Sequence, residues 1–224
     1  MQRFDKQRIA LRYYIEGVVR GSPDNVEWKR AYKMMALLEN VTDGKYRKDG
    51  FTPERSHPIA LALRAANIFE SYDIGFAGDL VSICLGHDLL EDAKSDGNRE
   101  YIFNEIEKIC GLNLLAEMET LDKNKFQTTD SYYENLGNLE LHLAAAIVKV
   151  IDRENNLSTM PGVFSEAKIE SYIQETEKYV IPLLKKIRRY DPTLSSKAEI
   201  IKFSIEQMME IHQTYIIGDV SQAG

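Results

Sequence analysis

With 224 residues, 44% of them hydrophobic, the chain is long enough to bury a core, and we expect residues 1–224 to form a single domain. A formal net charge of −7 argues against non-specific binding of nucleic acid, and no apolar run approaches the ~20 residues that span a membrane. The polar N-terminus and the two widely spaced cysteines, Cys84 and Cys110, favour a cytoplasmic protein with buried free thiols over a secreted or disulfide-linked one.

Helical periodicity extends through nearly the whole chain and strand-like alternation is almost absent, so the sequence predicts an all-α fold. The first two helices are expected at about residues 4–20 and 26–41. Residues 42–56 are predicted to form a loop because of their Gly, Pro and Asp content. This loop concentrates positive charge in an acidic protein, through Lys45, Arg47, Lys48 and Arg55. Such a run is usually a solvated surface, but this one leads directly into a histidine.

That histidine, His57, lies at the start of the next predicted helix, at about residues 57–71, where Pro58 suits the first turn. An isolated histidine at a helix start more often caps or packs the helix than binds a ligand. It becomes a candidate ligand because a second histidine follows the apolar run from Phe76 to Leu85.

The helix predicted over residues 76–92 ends in four side chains that can bind a metal or transfer protons: His87, Asp88, Glu91 and Asp92. Side chains three or four positions apart share a helix face. Adjacent carboxylates beside an imidazole are unfavourable in an apolar environment unless a positive charge compensates them. The segment therefore predicts a metal site.

The second half of the chain is also predicted to be helical. A polar loop at residues 124–131 precedes a long helix from about residue 132, which is almost wholly apolar until it reaches Asp152 and Asn156. These two side chains are four positions apart and could face one site. The other helices are expected at about residues 99–110, 112–122, 165–190, with a kink or split at Pro182, and 195–214. The Met-rich face of the last helix predicts core packing or an interface. A homo-oligomer is therefore possible.

Four candidate ligands each lie near an end of a predicted buried helix: His57, His87, Asp88 and Asp152. Two imidazoles and two carboxylates suit a borderline divalent ion such as manganese or iron, and zinc is also compatible. A metal held in this way can orient a phosphate, polarise its P–O bond and acidify water. Glu91 and Asp92 could then position or deprotonate that water.

The pattern of these four ligands resembles the H…HD…D metal set of the HD-domain phosphohydrolase superfamily. The flanking residues resemble, more narrowly, the hydrolase domains of the RelA/SpoT family. Residues 47–58 are similar to the "RKxG…HP" opening, residues 87–92 to the HDxxED element, residues 120–123 to a "VTxLxK" stretch, and residues 149–157 to the "KLADRxxN" element. The resemblance covers about residues 26–185, and the helices at about 4–20 and 195–214 lie outside it.

The resemblance implies an all-helical HD-domain fold, one manganese ion, and hydrolysis of the 3′-pyrophosphate of guanosine tetra- and pentaphosphate to GDP or GTP plus pyrophosphate. It implies metal binding by His57, His87, Asp88 and Asp152, and activation of water by Glu91 and Asp92. It implies substrate contacts by Arg47, Lys48, Lys123, Asn156 and Tyr172. The chain is too short for the family's synthetase domain, so it resembles a stand-alone small alarmone hydrolase.

Three positions depart from the family pattern. Ala93 stands where the family often has threonine, and Glu154 and Asn155 replace an apolar residue and a histidine or tyrosine. An extra acid beside the metal could alter substrate choice. Two alternatives stay open: an HD hydrolase acting on an adenosine alarmone or another 3′-phosphorylated nucleotide, and a non-catalytic nucleotide-binding module.

Overall fold

The computed structural model describes residues 3–47, 49–93, 96–160 and 163–220 and confirms the predicted all-α fold. The helices are α1 (Arg3–Gly21), α2 (Val26–Val41), α3 (Ser56–Phe69), α4 (Ile74–Gly86), α5 (Asp96–Leu121), α6 (Thr129–Leu136), α7 (Leu139–Thr159), α8 (Glu166–Glu175), α9 (Ile181–Tyr190) and α10 (Ser195–Val220). Within these ranges no β-strand occurs, and one isolated antiparallel bridge joins Tyr46 to Pro53.

The chain divides into two compact units, Met1–Val148 and Lys149–Gly224, and the division falls within α7. That the whole chain forms one domain stays a prediction. Among the described helices, none combines the length and apolar character needed to cross a bilayer.

In the first unit, α4 packs against both α2 and α3. Trp28 of α2 is fully buried at this contact, and its indole Nε1 donates a hydrogen bond to the carbonyl of Ile74 at 2.7 Å. Gly78 of α4 lies so close to α2 that an added Cβ would be 2.9 Å from the Cβ of Glu27. The absence of a side chain at this position therefore sets how near the two helices approach.

The prediction that α4 continues to residue 92 is wrong. The helix ends at Gly86, and residues 87–92 form a series of turns. The amide of Leu89 donates to the carbonyl of Gly86 at 3.1 Å, and the amide of Asp92 donates to that of Asp88 at 2.8 Å. The apolar run that buries α4 stops at Leu85, and glycine is a poor helix former, so nothing in the packing prolongs the helix.

The predicted long helix from residue 132 is also wrong, because the chain breaks at Gly137 and Asn138 between α6 and α7. Thr128 caps α6 through a reciprocal capping box with Ser131, which explains why this helix begins earlier than predicted. The helix predicted over residues 165–190 is not split, because the backbone stays helical from Glu166 to Tyr190. Its regular α-helical pattern changes to a π-helical turn over Thr176–Val180, and Pro182, which has no amide hydrogen to donate, directly follows that turn.

Candidate metal centre

The loop before α3 is ordered by its own backbone and delivers His57 in a fixed position. Gly50 has φ +76°, which a residue with a side chain rarely adopts. Asp49 accepts hydrogen bonds from the amides of Phe51 at 3.0 Å and Thr52 at 2.8 Å, and the Thr52 bonds hold the pKa of Asp49 below its usual value. His57, in the first turn of α3, is 7% exposed.

His87 follows α4 directly and is 5% exposed. Its Nδ1 lies 2.8 Å from the carbonyl oxygen of Cys84. Because a carbonyl can only accept, Nδ1 carries the proton, and in the neutral ring the lone pair is then on Nε2. A backbone carbonyl on one ring nitrogen is the usual way in which proteins orient a histidine whose other nitrogen binds a metal.

His57, His87 and Asp88 form one group, with a potential ligand atom of each residue within 4.8 Å of the others. The Nε2 of His87 lies 3.0 Å from Oδ1 of Asp88, and the Nε2 of His57 lies 3.9 Å from Oδ2 of the same carboxylate. The two imidazole rings are 5.3 Å apart between centroids and tilted by 57°. Asp88, with a side chain 38% exposed, is the most open member.

The donor chemistry of this group fits a divalent metal. If His87 is neutral with its proton on Nδ1, the Nε2 lone pair and the Asp88 carboxylate face each other across 3.0 Å. Two electron-rich atoms at this distance require a positive charge between or beside them, either a proton or a metal ion. Two imidazole nitrogens and one carboxylate oxygen are ligands that manganese, iron and zinc accept.

Glu91 and Asp92 lie on the exposed turn that follows the three-residue group. Partial loss of hydration, followed by the negative charges of Asp88 and Glu54, raises the pKa of Asp92 to about 6, and a side-chain hydrogen bond with Glu54 acts in the same direction. Sequence reasoning missed Glu54. The only sequence signal for it was an acidic residue within a basic loop, directly after Pro53, which forms the isolated bridge with Tyr46.

The predicted substrate residues of the first unit lie in loops and turns. Arg47 is half-buried, and its amide donates to the carbonyl of Thr52 at 2.8 Å across the loop. Lys48 lies outside the described residues. Lys123 begins a 3₁₀ turn, Lys123–Lys125, directly after α5. That these residues contact a nucleotide stays a prediction.

In the second unit, Asp152 is buried and both its carboxylate oxygens are engaged. Lys149 donates to Oδ2 at 3.0 Å, and Asn156 donates to Oδ1 at 2.6 Å. The predicted pairing of Asp152 with Asn156 on one helix face is therefore present. The role of Asp152 as a fourth ligand stays a prediction.

Tyr172 is held in the second unit by a cationic and aromatic environment. The guanidinium of Arg153 lies 4.5 Å from the centre of the Tyr172 ring, and Phe164 stacks on the ring at 6.0 Å. Arg153 also donates to Glu175 at 2.5 Å and to the Tyr172 carbonyl at 3.2 Å. Glu154, which follows Arg153 in the chain and departs from the family pattern, is also buried. These contacts give the ring a defined position, which is compatible with a binding role.

No protein-family model matches this chain, and no curated protein matches it either. What the fold and the site define is thus an all-α protein with a histidine and aspartate group that could hold a metal ion.

Proposed function

We propose that the chain is a divalent-metal-dependent phosphohydrolase that removes the 3′-pyrophosphate of guanosine tetra- or pentaphosphate. The observation that carries this proposal is the group formed by His57, His87 and Asp88, whose ligand atoms lie within 4.8 Å of one another. A manganese ion bound there, or iron or zinc in its place, would neutralise phosphate charge and polarise a P–O bond.

Other residues of the chain would activate water and bind the phosphates of the substrate. Glu91 and Asp92 follow the metal group on an exposed turn, so they could orient a water molecule and accept its proton. Positive charge for the polyphosphate would come from the loop that contains Arg47, because phosphoryl transfer depends mainly on positioning and charge neutralisation. The resemblance assigns metal binding to Asp152 and nucleotide contacts to Asn156 and Tyr172.

The reaction is hydrolysis at the 3′ position. The oxygen of water bonds to the phosphorus attached to O3′, the O3′–P bond breaks, and O3′ takes a proton. The products are a nucleotide with a free 3′-hydroxyl and inorganic pyrophosphate. No redox partner is required, which is consistent with a site built from imidazole and carboxylate groups.

The test is incubation of the protein with guanosine tetraphosphate in ¹⁸O-labelled water, with and without manganese. With manganese, we expect GDP without label and pyrophosphate that carries one ¹⁸O atom. Without manganese, we expect no products. Asp88→Asn should abolish turnover, whereas Asp24→Asn, an equivalent change at an exposed turn residue, should leave it unchanged.

Other outcomes decide against the proposal in distinct ways. Cleavage of an adenosine alarmone while guanosine tetraphosphate survives would transfer the chemistry to another substrate. Binding of the nucleotide without turnover, under every metal condition, would instead indicate a non-catalytic module. Release of single phosphates would place the cut at a position other than 3′.

A further inference from the structure

An arginine of α5 forms a hydrogen bond with the backbone of the turn that contains Glu91 and Asp92. One guanidinium nitrogen of Arg99, Nη1, donates a hydrogen bond to the backbone carbonyl of Leu90. The other, Nη2, donates to Oδ2 of Asp122 at 2.6 Å. A single planar group thus joins the residue immediately before Glu91 to the segment that follows α5.

The anchor for this arginine is buried and fixed. Asp122 is 2% exposed, and its second oxygen, Oδ1, accepts the amide of Asn124 at 3.1 Å at the start of the 3₁₀ turn. A buried carboxylate requires a paired charge with good geometry, so Arg99 is constrained to remain at this position. The rigid fork of a guanidinium can hold two acceptors in fixed directions, which a lysine cannot do.

The backbone of the turn couples the metal group to the carboxylates. Asp88 contributes a side chain to the metal group, and its carbonyl accepts the amide of Asp92. Leu89 and Leu90 between them are buried, so the turn is fixed by its apolar side chains on one side. Arg99 adds a polar constraint at the one carbonyl that directly precedes Glu91.

We propose that Arg99, anchored by Asp122, is a positioning residue that sets the path of residues 87–92 and therefore the placement of Glu91 and Asp92. Its catalytic consequence rests on the proposed function, whereas its effect on the turn does not. Loss of Arg99 should lower kcat by about 10- to 100-fold, the usual effect of removing a group that orients an active residue. KM should change little, because Arg99 acts on the turn and not on the nucleotide.

The test compares Arg99→Met with the double variant Arg99→Met/Asp122→Asn, in which no buried carboxylate is left without its charged partner. Hydrogen exchange of a peptide that covers residues 87–92 is measured beside kcat and KM. The control is Arg8→Met, which removes a helix-to-helix ion pair with Glu39, 3.2 Å long, elsewhere in the first unit. Arg99→Lys tests whether a single ammonium group, which lacks the fixed fork of the guanidinium, restores part of the effect.

We expect faster exchange of the turn amides in both Arg99→Met proteins, an intermediate rate in Arg99→Lys, and no local change in Arg8→Met. If the double variant keeps the exchange rate of the unmutated protein, Arg99 does not position the turn. If exchange rises while kcat is unchanged, the catalytic part of the proposal is wrong. If the unmutated protein hydrolyses no nucleotide, the proposed function fails, and the exchange data alone decide whether Arg99 holds the turn.

Discussion

Replacing Gly78 by alanine tests the close approach of α2 and α4, the helix that directly precedes His87. A Cβ at position 78 would lie 2.9 Å from the Cβ of Glu27, 3.1 Å from its backbone carbonyl carbon and 3.1 Å from Cδ1 of Trp28. The first two of these atoms are fixed to the helix backbone, and Trp28 is fully buried. No side-chain rotation can therefore relieve the contact, and the helices must move apart.

Two opposing free-energy terms set the size of the effect. Overpacking a buried contact costs about 1–3 kcal/mol. Alanine in place of glycine inside a helix contributes about 0.5–1 kcal/mol of stability. The expected net change is a loss of about 1 kcal/mol in the free energy of unfolding. Gly17→Ala isolates the second term, because Gly17 lies in α1 with no heavy atom within 4 Å of the added Cβ.

Urea unfolding at equilibrium measures both variants against the unmutated protein. We expect Gly17→Ala to be more stable than the unmutated protein and Gly78→Ala to be less stable, with a gap of about 1–3 kcal/mol between the two variants. Equal stabilisation by both substitutions would refute the close approach of α2 and α4.

Three further predictions address charge, backbone conformation and metal binding. Burial raises the pKa of Glu117 from 4.5 to about 7, so the native state binds a proton that the unfolded chain releases, and this contribution to stability falls as pH rises from about 4.5 to about 7. Glu117→Gln should remove that pH dependence. Urea unfolding at several pH values should show that the stability of this variant, relative to the unmutated protein, is highest above pH 7. Gly111 interrupts α5 with φ 77° and ψ 171°, so Gly111→Ala should cost about 1–3 kcal/mol. Manganese at 100 times its Kd should stabilise the native state by about 2.7 kcal/mol, seen as a higher Tm, and His57→Gln should lose this shift.

Each of these has a control within the chain. For Glu117, the amide of Ala145 donates to its Oε2 at 3.1 Å, and glutamine keeps an acceptor there, so an unchanged pH profile would contradict the raised pKa of Glu117. Gly97→Ala, in the same helix with open space at the Cβ, should not destabilise, and equal losses at Gly97 and Gly111 would rule out backbone strain as the cause. A manganese-dependent Tm shift that survives His57→Gln would place the ion elsewhere.

The helical fold and the three-residue group could be anticipated from local patterns. Periodicity placed α1 and α2 to within a residue or two, and the adjacency of His87 and Asp88 required no knowledge of tertiary structure. His57 was linked to them by its place at the start of a predicted buried helix and by the family pattern, and the structure brings it within 3.9 Å of the same carboxylate. The metal itself and the substrate stay predictions.

Other features depended on contacts between residues distant in sequence. Arg99 and Asp122 are 23 positions apart, and their pairing matters only because α4 stops at Gly86 and leaves a turn for Arg99 to hold. Glu117 was equally hidden, since it meets the amide of Ala145 only where α7 is distorted at His142. Sequence periodicity reports which face of a helix is buried, but it did not report that α4 ends at Gly86 or which charge lies opposite Arg99.

His87 is oriented by a hydrogen bond that its Nδ1–H donates to a backbone carbonyl and not to a side chain. The tautomer of the imidazole is consequently insensitive to the chemical identity of residue 84. Cys84→Ala or Cys84→Ser would remove the thiol and leave the acceptor in place as long as α4 retains its last turn. Substitution at position 84 should therefore leave the proton of His87 on Nδ1. Only a change in the path of the helix would move the carbonyl that accepts this hydrogen bond.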